Sequence, residues 1–463
     1  MRAPTVVLLV ALTTLSGCDA GTDNGPLRPG APVSTPTTSD ARVIGLVGTL
    51  SGAEAWRGED AFEGADLAVS ELNQAVADGR PPFELVTRDD RGDPELAAQL
   101  VRELAAIDRT IGIVYAGPPG GLPATEAALT QAGIPAILCY GDLYSARLLR
   151  PHIFQASPPF LWQARAMARY IERDRGYRRV GALISRSPTG DTAVLSLKTA
   201  LREQDIRRVR VFRYSAPSQL AGRLRRLKAS RVEALVVEGS GAIVAETLAI
   251  LRARGQAYLT TRKARSGRRG RGRWNPQVFG FDSAMAPNRV ARRDTGTIAA
   301  DSYARGPHLL PIPSMERFRG SFTEWWDGDE PLGWELRAYD SVQAIGWASR
   351  NSKPGTDLAL VLEQLRRTRF GGIAITLGPD DHTMVEQATV GLWVVPRRGF
   401  DVSSEALPWL PLARGFSIDG QRTATANEDW RYLFRRPPPP DGPAPRVTRM
   451  RSAVASPRSD PVH

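Results

Sequence analysis

Residues 42–74 read RVIGLVGTLSGAEAWRGEDAFEGADLAVSELNQ, and two hydrophobic periods meet inside this stretch. Val43 to Val47 is a β-branched apolar run, the mark of a strand covered on both faces. From Gly58 to Asp78 the period changes: Ala61, Ala65, Ala68 and Leu72 recur on one helical face, with Phe62 and Val69 beside it. A fully covered strand followed by an amphipathic helix is the repeating unit of a parallel sheet with helices on both sides.

The same alternation continues outward along the chain. Strands are predicted at Phe83–Thr87, Ile111–Tyr115, Ile134–Leu138, Arg179–Ile184, Val209–Arg213, Ala234–Val237 and Gln277–Phe281. Helices are predicted at Pro94–Ile107, Leu122–Ala132, Leu161–Arg173, Thr192–Gln204, Gln219–Ala229 and Ala242–Arg254. One continuous sheet of that many strands would be unusually wide, so two lobes with a sheet each is the better architecture. Beyond them the pattern gives a short strand at Thr297–Ser302 and helices at Met315–Trp326, Trp334–Ala348 and Leu358–Arg367. Strands at Gly372–Leu377 and Ala388–Val395 close the fold.

Composition agrees with a globular body. The 463 residues are 42% hydrophobic and 24% charged, within the ordinary range for folded domains. The formal charge of +12 is unevenly placed. Seven basic residues fall between Arg262 and Arg273, and seven arginines from Arg431 onward stand against Asp441 and Asp460, a net five. Together these account for the whole excess, so the basicity belongs to an insert and a tail. A nucleic-acid surface would more often be a basic stripe across the fold itself, and no nucleic-acid partner is expected. The insert reads as a solvated loop, with contact to anionic headgroups as its other reading.

The N-terminus carries an export signal: Arg2, the apolar run Val6–Leu12, then Leu15-Ser16-Gly17-Cys18. The run is too short to span a bilayer and fits a cleaved secretory signal. Leu-Ser-Gly-Cys resembles a bacterial lipobox, in which Cys18 is lipidated and becomes the new N-terminus. With Cys18 acylated, Cys139 has no partner for a disulfide and reads as a small core hydrophobe.

Several further stretches carry a resemblance. Val43-Ile44-Gly45-Leu46, Gly64-Ala65-Asp66-Leu67-Ala68-Val69, Asp89-Asp90-Arg91-Gly92-Asp93-Pro94, Ala116-Gly117-Pro118 and His152-Ile153-Phe154-Gln155 resemble the type I periplasmic binding proteins. Tyr339-Asp340-Ser341-Val342 and Thr376-Leu377-Gly378-Pro379-Asp380 resemble their closing signatures. The branch most similar is the leucine/isoleucine/valine-binding group of ABC transporter receptors. This resemblance implies an α/β fold of two Rossmann-like lobes joined by three crossing segments, expected near Ser157, Tyr303 and Ile375. The expected organisation is a lipoprotein signal peptide at 1–18, a flexible tether at 19–41, an N-terminal lobe of 42–157 plus 304–374, and a C-terminal lobe of 158–303 plus 375–400. A C-terminal extension, 401–463, is expected to lack order after 436.

In such a fold a solute sits beyond the carboxyl ends of the strands. The loop Gly117-Pro118-Pro119-Gly120-Gly121 precedes the helix predicted from Leu122, and its free N–H groups suit a carboxylate; a plain tight turn is the other reading. Gly117, Gly120 and Gly121 are therefore candidates. The amino-acid-binding relatives carry serines in this loop and an aromatic where this chain has Arg57 beside Trp56. Arg57 is read either as a bidentate clamp for an anion or as a surface salt bridge. Thr189 and Ser240 stand in second-lobe loops where relatives often present tyrosines, and Asp142 and Tyr144 follow the Cys139 strand. Asp282, in Gly280-Phe281-Asp282, matches the acidic position that receives the ligand's ammonium in those relatives.

The expected function is an exported solute-binding lipoprotein on the outer face of the cytoplasmic membrane. It would clamp a small polar solute (amino acid, amide or peptide-like) and present it, as a monomer, to an ABC transporter permease. A membrane-anchored sensor with the same clamp is the alternative. No enzyme is expected: there is no His-Glu-x-x-His, Gly-x-Ser-x-Gly or Cys-x-x-Cys among these residues, and only four histidines. No cofactor or metal is expected. Asp380-Asp381-His382 falls in a turn where solvated polar side chains are the norm.

Overall fold

The computed structural model describes residues 40–394 apart from 53, 76–80, 119–120, 122–124, 140–149, 254–273, 275, 286–296, 303–312 and 332, together with 410–411, 417–418 and 421–422. The signal peptide with Cys18, the tether through residue 39, the insert at 262–273, nearly all of the C-terminal extension and the candidates Gly120, Asp142 and Tyr144 lie outside the described residues.

The first sheet is built from β1 (Arg42–Gly48), β2 (Phe83–Asp89), β3 (Thr110–Ala116), β4 (Ala136–Leu138) and β5 (Ile153–Gln155). Its order is β2-β1-β3-β4-β5, and every pair is parallel. Between these strands run α1 (Trp56–Gln74), α2 (Pro94–Ala105) and α3 (Glu126–Ala132). Val43, Ile44, Leu46 and Val47 are all buried, as an all-apolar strand requires. The α2 start is written in the sequence: the Asp93 carboxylate caps the Glu95 and Leu96 amides, and Pro94, which has no N–H to satisfy, occupies the first turn.

After β5 the chain enters α4 (Phe160–Arg169), which ends in a single π-helical turn at Tyr170–Asp174, and then the second unit. That unit comprises β6 (Val180–Ser185), α5 (Pro188–Arg202), β7 (Val209–Tyr214), α6 (Leu220–Ala229), β8 (Ala234–Val237), α7 (Gly241–Ala253), β9 (Gln277–Gly280) and β10 (Ile298–Ser302). It is completed by β11 (Val390–Val394) and β12 (Leu410–Pro411), giving the order β12-β11-β10-β9-β8-β6-β7. The strands from β6 to β10 pair in parallel, and β11 and β12 are antiparallel additions at one edge. The fold is thus α/β with two largely parallel sheets.

Three helices from the later chain return to the first unit: α8 (Pro313–Trp325), α9 (Glu335–Asn351) and α10 (Leu358–Leu362). The ring nitrogens of Trp325 and Trp326 donate to the Asp66 carboxylate and the Glu63 carbonyl on α1. The α9 backbone lies so close to α1 that a Cβ on Gly64 would fall 1.9 Å from the Glu335 carbonyl oxygen. Only glycine permits that approach.

Three local expectations differ from what forms. The helix predicted over Leu358–Arg367 stops at Leu362, and the strand predicted over Gly372–Leu377 is reduced to one bridge between Thr368 and Ile375. The Asp340 carboxylate takes the Gly371 and Gly372 amides, so this apolar run is buried by a side-chain anchor instead of a ladder. His382 is not a solvated turn residue. It is fully buried, stacks on Phe154 at 4.1 Å between ring centroids, and faces Glu363 at 3.0 Å. Beside it, Gln155 and Thr383 form a parallel bridge, so 382–384 extend the edge of the first sheet before the chain joins the second at Val390.

Candidate ligand-binding cleft

Both sheets reverse their strand order at one point: between β1 and β3 in the first, and between β6 and β8 in the second. Loops leaving the carboxyl ends of strands at such a point splay to opposite faces and open a crevice. Among the described residues a cleft of about 330 Å³ is lined by the loops at both switch points. Trp56 and Arg57 follow β1, Pro94 opens α2 and Pro118 follows β3; from the other unit come Ser187–Thr189 after β6, Glu238–Ser240 after β8 and Asp282–Ser283 after β9. Phe160, at the start of α4, forms part of the floor.

Of the residues singled out in the sequence, Trp56, Arg57, Thr189, Ser240 and Asp282 line this cleft together. Gly117 and Gly121 are described but turn elsewhere. A Cβ on Gly117 would meet the Asp90 carboxylate at 2.2 Å, and one on Gly121 would meet the Tyr115 hydroxyl at 2.3 Å. Both glycines therefore make room for buried side chains beneath the loop, with the Tyr115 hydroxyl donating to the Pro118 carbonyl at 2.7 Å. The helix that follows is described from Glu126. Asp90 itself accepts from the Thr49 hydroxyl and the Gly92 amide, and burial raises its pKa above the usual carboxylate range.

The electrostatics centre on a residue that sequence reasoning missed. Arg337, on α9, is fully buried and reaches from the first unit into the second. Its guanidinium makes two 2.8 Å bonds to the Asp301 carboxylate on β10, donates to the Cys139 carbonyl at 3.1 Å, and stands 3.4 Å from Asp282 Oδ2. It also lies over the Trp334 ring at 4.1 Å, and Trp334 meets Trp56 edge-on at 5.6 Å between centroids. A chain of contacts, Arg337–Trp334–Trp56, thus links the buried arginine to the cleft wall, and Arg57 lies over the Trp56 ring at 5.4 Å. Cys139 is buried, as its apolar surroundings in the sequence suggested.

Asp282 is held from several sides. Its amide donates to Gln163 Oε1 at 2.8 Å, and its Oδ1 accepts from the Ser283 amide at 2.9 Å. Burial raises its pKa, against the opposing pull of Arg337 and, more weakly, Arg57. The upward direction follows from the geometry, because Arg337 Nη2 is shared between both Asp301 oxygens at 2.8 Å while Asp282 receives a single longer contact from Nη1.

Glu238 was also passed over in the sequence, although its neighbour Ser240 was not. It sits just past β8, is 5% exposed, and its Oε2 accepts from the Ser185 amide at 2.7 Å. The Tyr214 hydroxyl donates to its carbonyl at 2.7 Å, and burial with this nearby carboxylate raises the Tyr214 pKa. The Ser187 hydroxyl caps α5 through the Gly190 amide, with Pro188 in the first turn, so this part of the wall is pinned to a helix start. Among the described residues no group of three or more His, Cys, Asp or Glu side chains is arranged to hold a metal ion. No described helix is long and apolar enough to cross a membrane.

A two-sheet α/β fold with a cleft between the switch points of both sheets is the geometry of a two-lobed binding protein. Residues 43–395 match the periplasmic binding protein family, and the chain belongs to that family. Its members bind solutes and are not enzymes. Among solved structures, a type 1 periplasmic binding protein from Bordetella pertussis superposes with a TM-score of 0.66 at 17% identity, covering 81% of this chain and 100% of that one. The branched-chain amino acid transporter substrate-binding protein LivJ from Streptococcus pneumoniae, in complex with isoleucine, gives 0.62 at 18% identity over 80% and 99% of the two chains. A possible leucine/isoleucine/valine-binding protein from Rhodopirellula baltica gives 0.64 at 18% over 81% and 98%. No protein of curated function matches the sequence.

Proposed function

We propose that this protein is an exported lipoprotein that closes two lobes on a small polar solute (an amino acid, amide or peptide-like compound) and presents it to the permease of an ABC transporter. The observation that carries this reading is the cleft itself: one concavity, lined from both sheets at the switch points where α/β folds bind ligands. The transport role is supported by the likeness to LivJ, a branched-chain amino acid transporter substrate-binding protein, and to a branched-chain amino acid ABC transporter protein from Rhodospirillum rubrum. Lipid anchoring at Cys18 rests on the sequence that precedes it. In this reading the lobes are residues 42–157 with the later helices through 384, and 158–303 with 390–400. With 382–384 bonded to β5, this reading takes 385–389 as the third crossing. Closure is a hinge motion, favoured by any ligand that touches both walls.

The test is a thermal-shift screen of the full-length protein in detergent against amino acids, amides, sugars and small peptides. A ligand at a hundredfold excess over its Kd adds about 2.7 kcal/mol of stability. A melting curve unmoved by every pool would sink the receptor reading.

A further inference from the structure

Two carboxylates of the second lobe reach the cleft, Asp282 and Glu238, and among the described residues only Asp282 has a guanidinium in contact. Asp282 is already committed: Oδ1 holds the Ser283 amide, Oδ2 faces the Arg337 guanidinium, and Arg57 adds a second positive charge nearby. An incoming ammonium at that spot would have to displace Arg337, leaving a buried guanidinium with less compensation, and would approach Arg57 as a like charge. Glu238 is the reverse case. It is almost fully buried, its carboxylate accepts one backbone amide, and among the described residues no Lys, Arg or His forms an ion pair with it. A buried carboxylate left with a single neutral donor is costly, and a cation supplied from the cleft would offset that cost.

We infer that Glu238, and not Asp282, is the acid that recognises the ligand, and that the ligand is an organic cation with an apolar body. The body packs against Trp56 and Phe160, the aromatic side chains of the cleft lining, and a hydrogen-bond acceptor or anionic end of the ligand turns toward Arg57. This assignment rests on the receptor reading above but fixes a separate point, namely which side chain selects the charge of the solute. The sequence position that matches the amino-acid receptors' acid, Asp282, serves instead as an internal counter-ion that ties the lobes through Arg337.

The test uses ligand pairs that differ by one ammonium group: phenylalaninamide against 3-phenylpropanamide, and leucinamide against 4-methylpentanamide, with agmatine, glucose and glutarate as further probes. Binding to the full-length protein and to Glu238→Gln is followed by thermal shift and calorimetry. The glutamine keeps the shape and can still accept from the Ser185 amide, so the fold is expected to survive, and the unliganded melting temperature checks this. The wild type should bind cation-bearing members roughly tenfold to a hundredfold more tightly than their uncharged counterparts, and Glu238→Gln should erase that preference. A merely structural role for Glu238 would weaken both members of a pair alike. Binding confined to uncharged or anionic probes, or an ammonium preference that survives Glu238→Gln, overturns the assignment and leaves the receptor reading standing. Silence from every probe and every pool of the wider screen overturns both.

Discussion

The two walls of the cleft are made of different material. The first-lobe wall is Trp56, Arg57, Pro94 and Pro118: two rigid rings, an indole and one guanidinium, with Trp56, Arg57 and Pro94 on helix starts and Pro118 in the loop after β3. The second-lobe wall is Ser187, Thr189, Glu238, Ser240, Asp282 and Ser283, hydroxyls and carboxylates at the ends of parallel strands. The contrast divides the labour of a clamp. In the proposed receptor, one wall would supply surface and stiffness and the other the polar groups that discriminate between solutes. The Arg337 pair belongs to neither wall alone, since it runs from α9 in one lobe to Asp301 and Asp282 in the other.

The largest effect should come from cutting that link. Arg337→Met leaves Asp301 and Asp282 buried without their cation, and a loss of about 3–5 kcal/mol in chemical denaturation is expected. A variant within about 1 kcal/mol of wild type would mean that the walls are held together by something else. A smaller loss, about 1–3 kcal/mol, is expected for Gly64→Ala, because the added Cβ must push α1 away from the Glu335 carbonyl. Since that strain lies behind the first wall, the ammonium preference measured above should persist in this variant; its disappearance would show that the first wall also selects charge.

The smallest effect is a pH dependence. Burial holds the Asp282 pKa above its unfolded value. The fold therefore takes up this proton more readily than the unfolded chain does. The resulting stability is fully present below the unfolded pKa and is lost as pH rises through the folded value. Asp282→Asn removes this titration, so wild-type stability relative to the variant should grow as pH falls from neutral toward 4. A difference that shrinks on acidification would mean that Arg337 holds Asp282 below its ordinary range, and would reopen it as a ligand carboxylate.

The sequence was most legible where burial is local in origin. Strands covered on both faces must be apolar throughout, so β1, β3, β6 and β8 stand out as runs, and caps such as Asp93-Pro94 mark helix starts without reference to the rest of the chain. It was least legible where one side chain answers to a distant one. Arg337 sits among Glu335, Leu336 and Ala338 on a helix whose pattern looks ordinary, and nothing nearby announces that its partners are Asp301 and Asp282. Glu238 ends the run Ala234–Val237 and reads as the polar residue that stops a strand, while His382 reads as one more polar residue in a turn. Gly117 and Gly121 show the converse: a glycine-rich loop suggested a ligand, and the space those glycines leave is filled from beneath by Asp90 and Tyr115.

For the opening stretch at Arg42–Gln74, the sequence by itself determined strand, helix and the class of sheet they enter, because hydrophobic period acts over a few residues. Only the tertiary structure decided that Trp56 meets Trp334 beneath a buried arginine, that Asp282 lies beside that arginine, and that Glu238 reaches the same cleft with no guanidinium in contact among the described residues. The reason is physical: the charge state and availability of a side chain depend on whatever the fold brings within a few ångströms of it, and those neighbours come from remote parts of the chain.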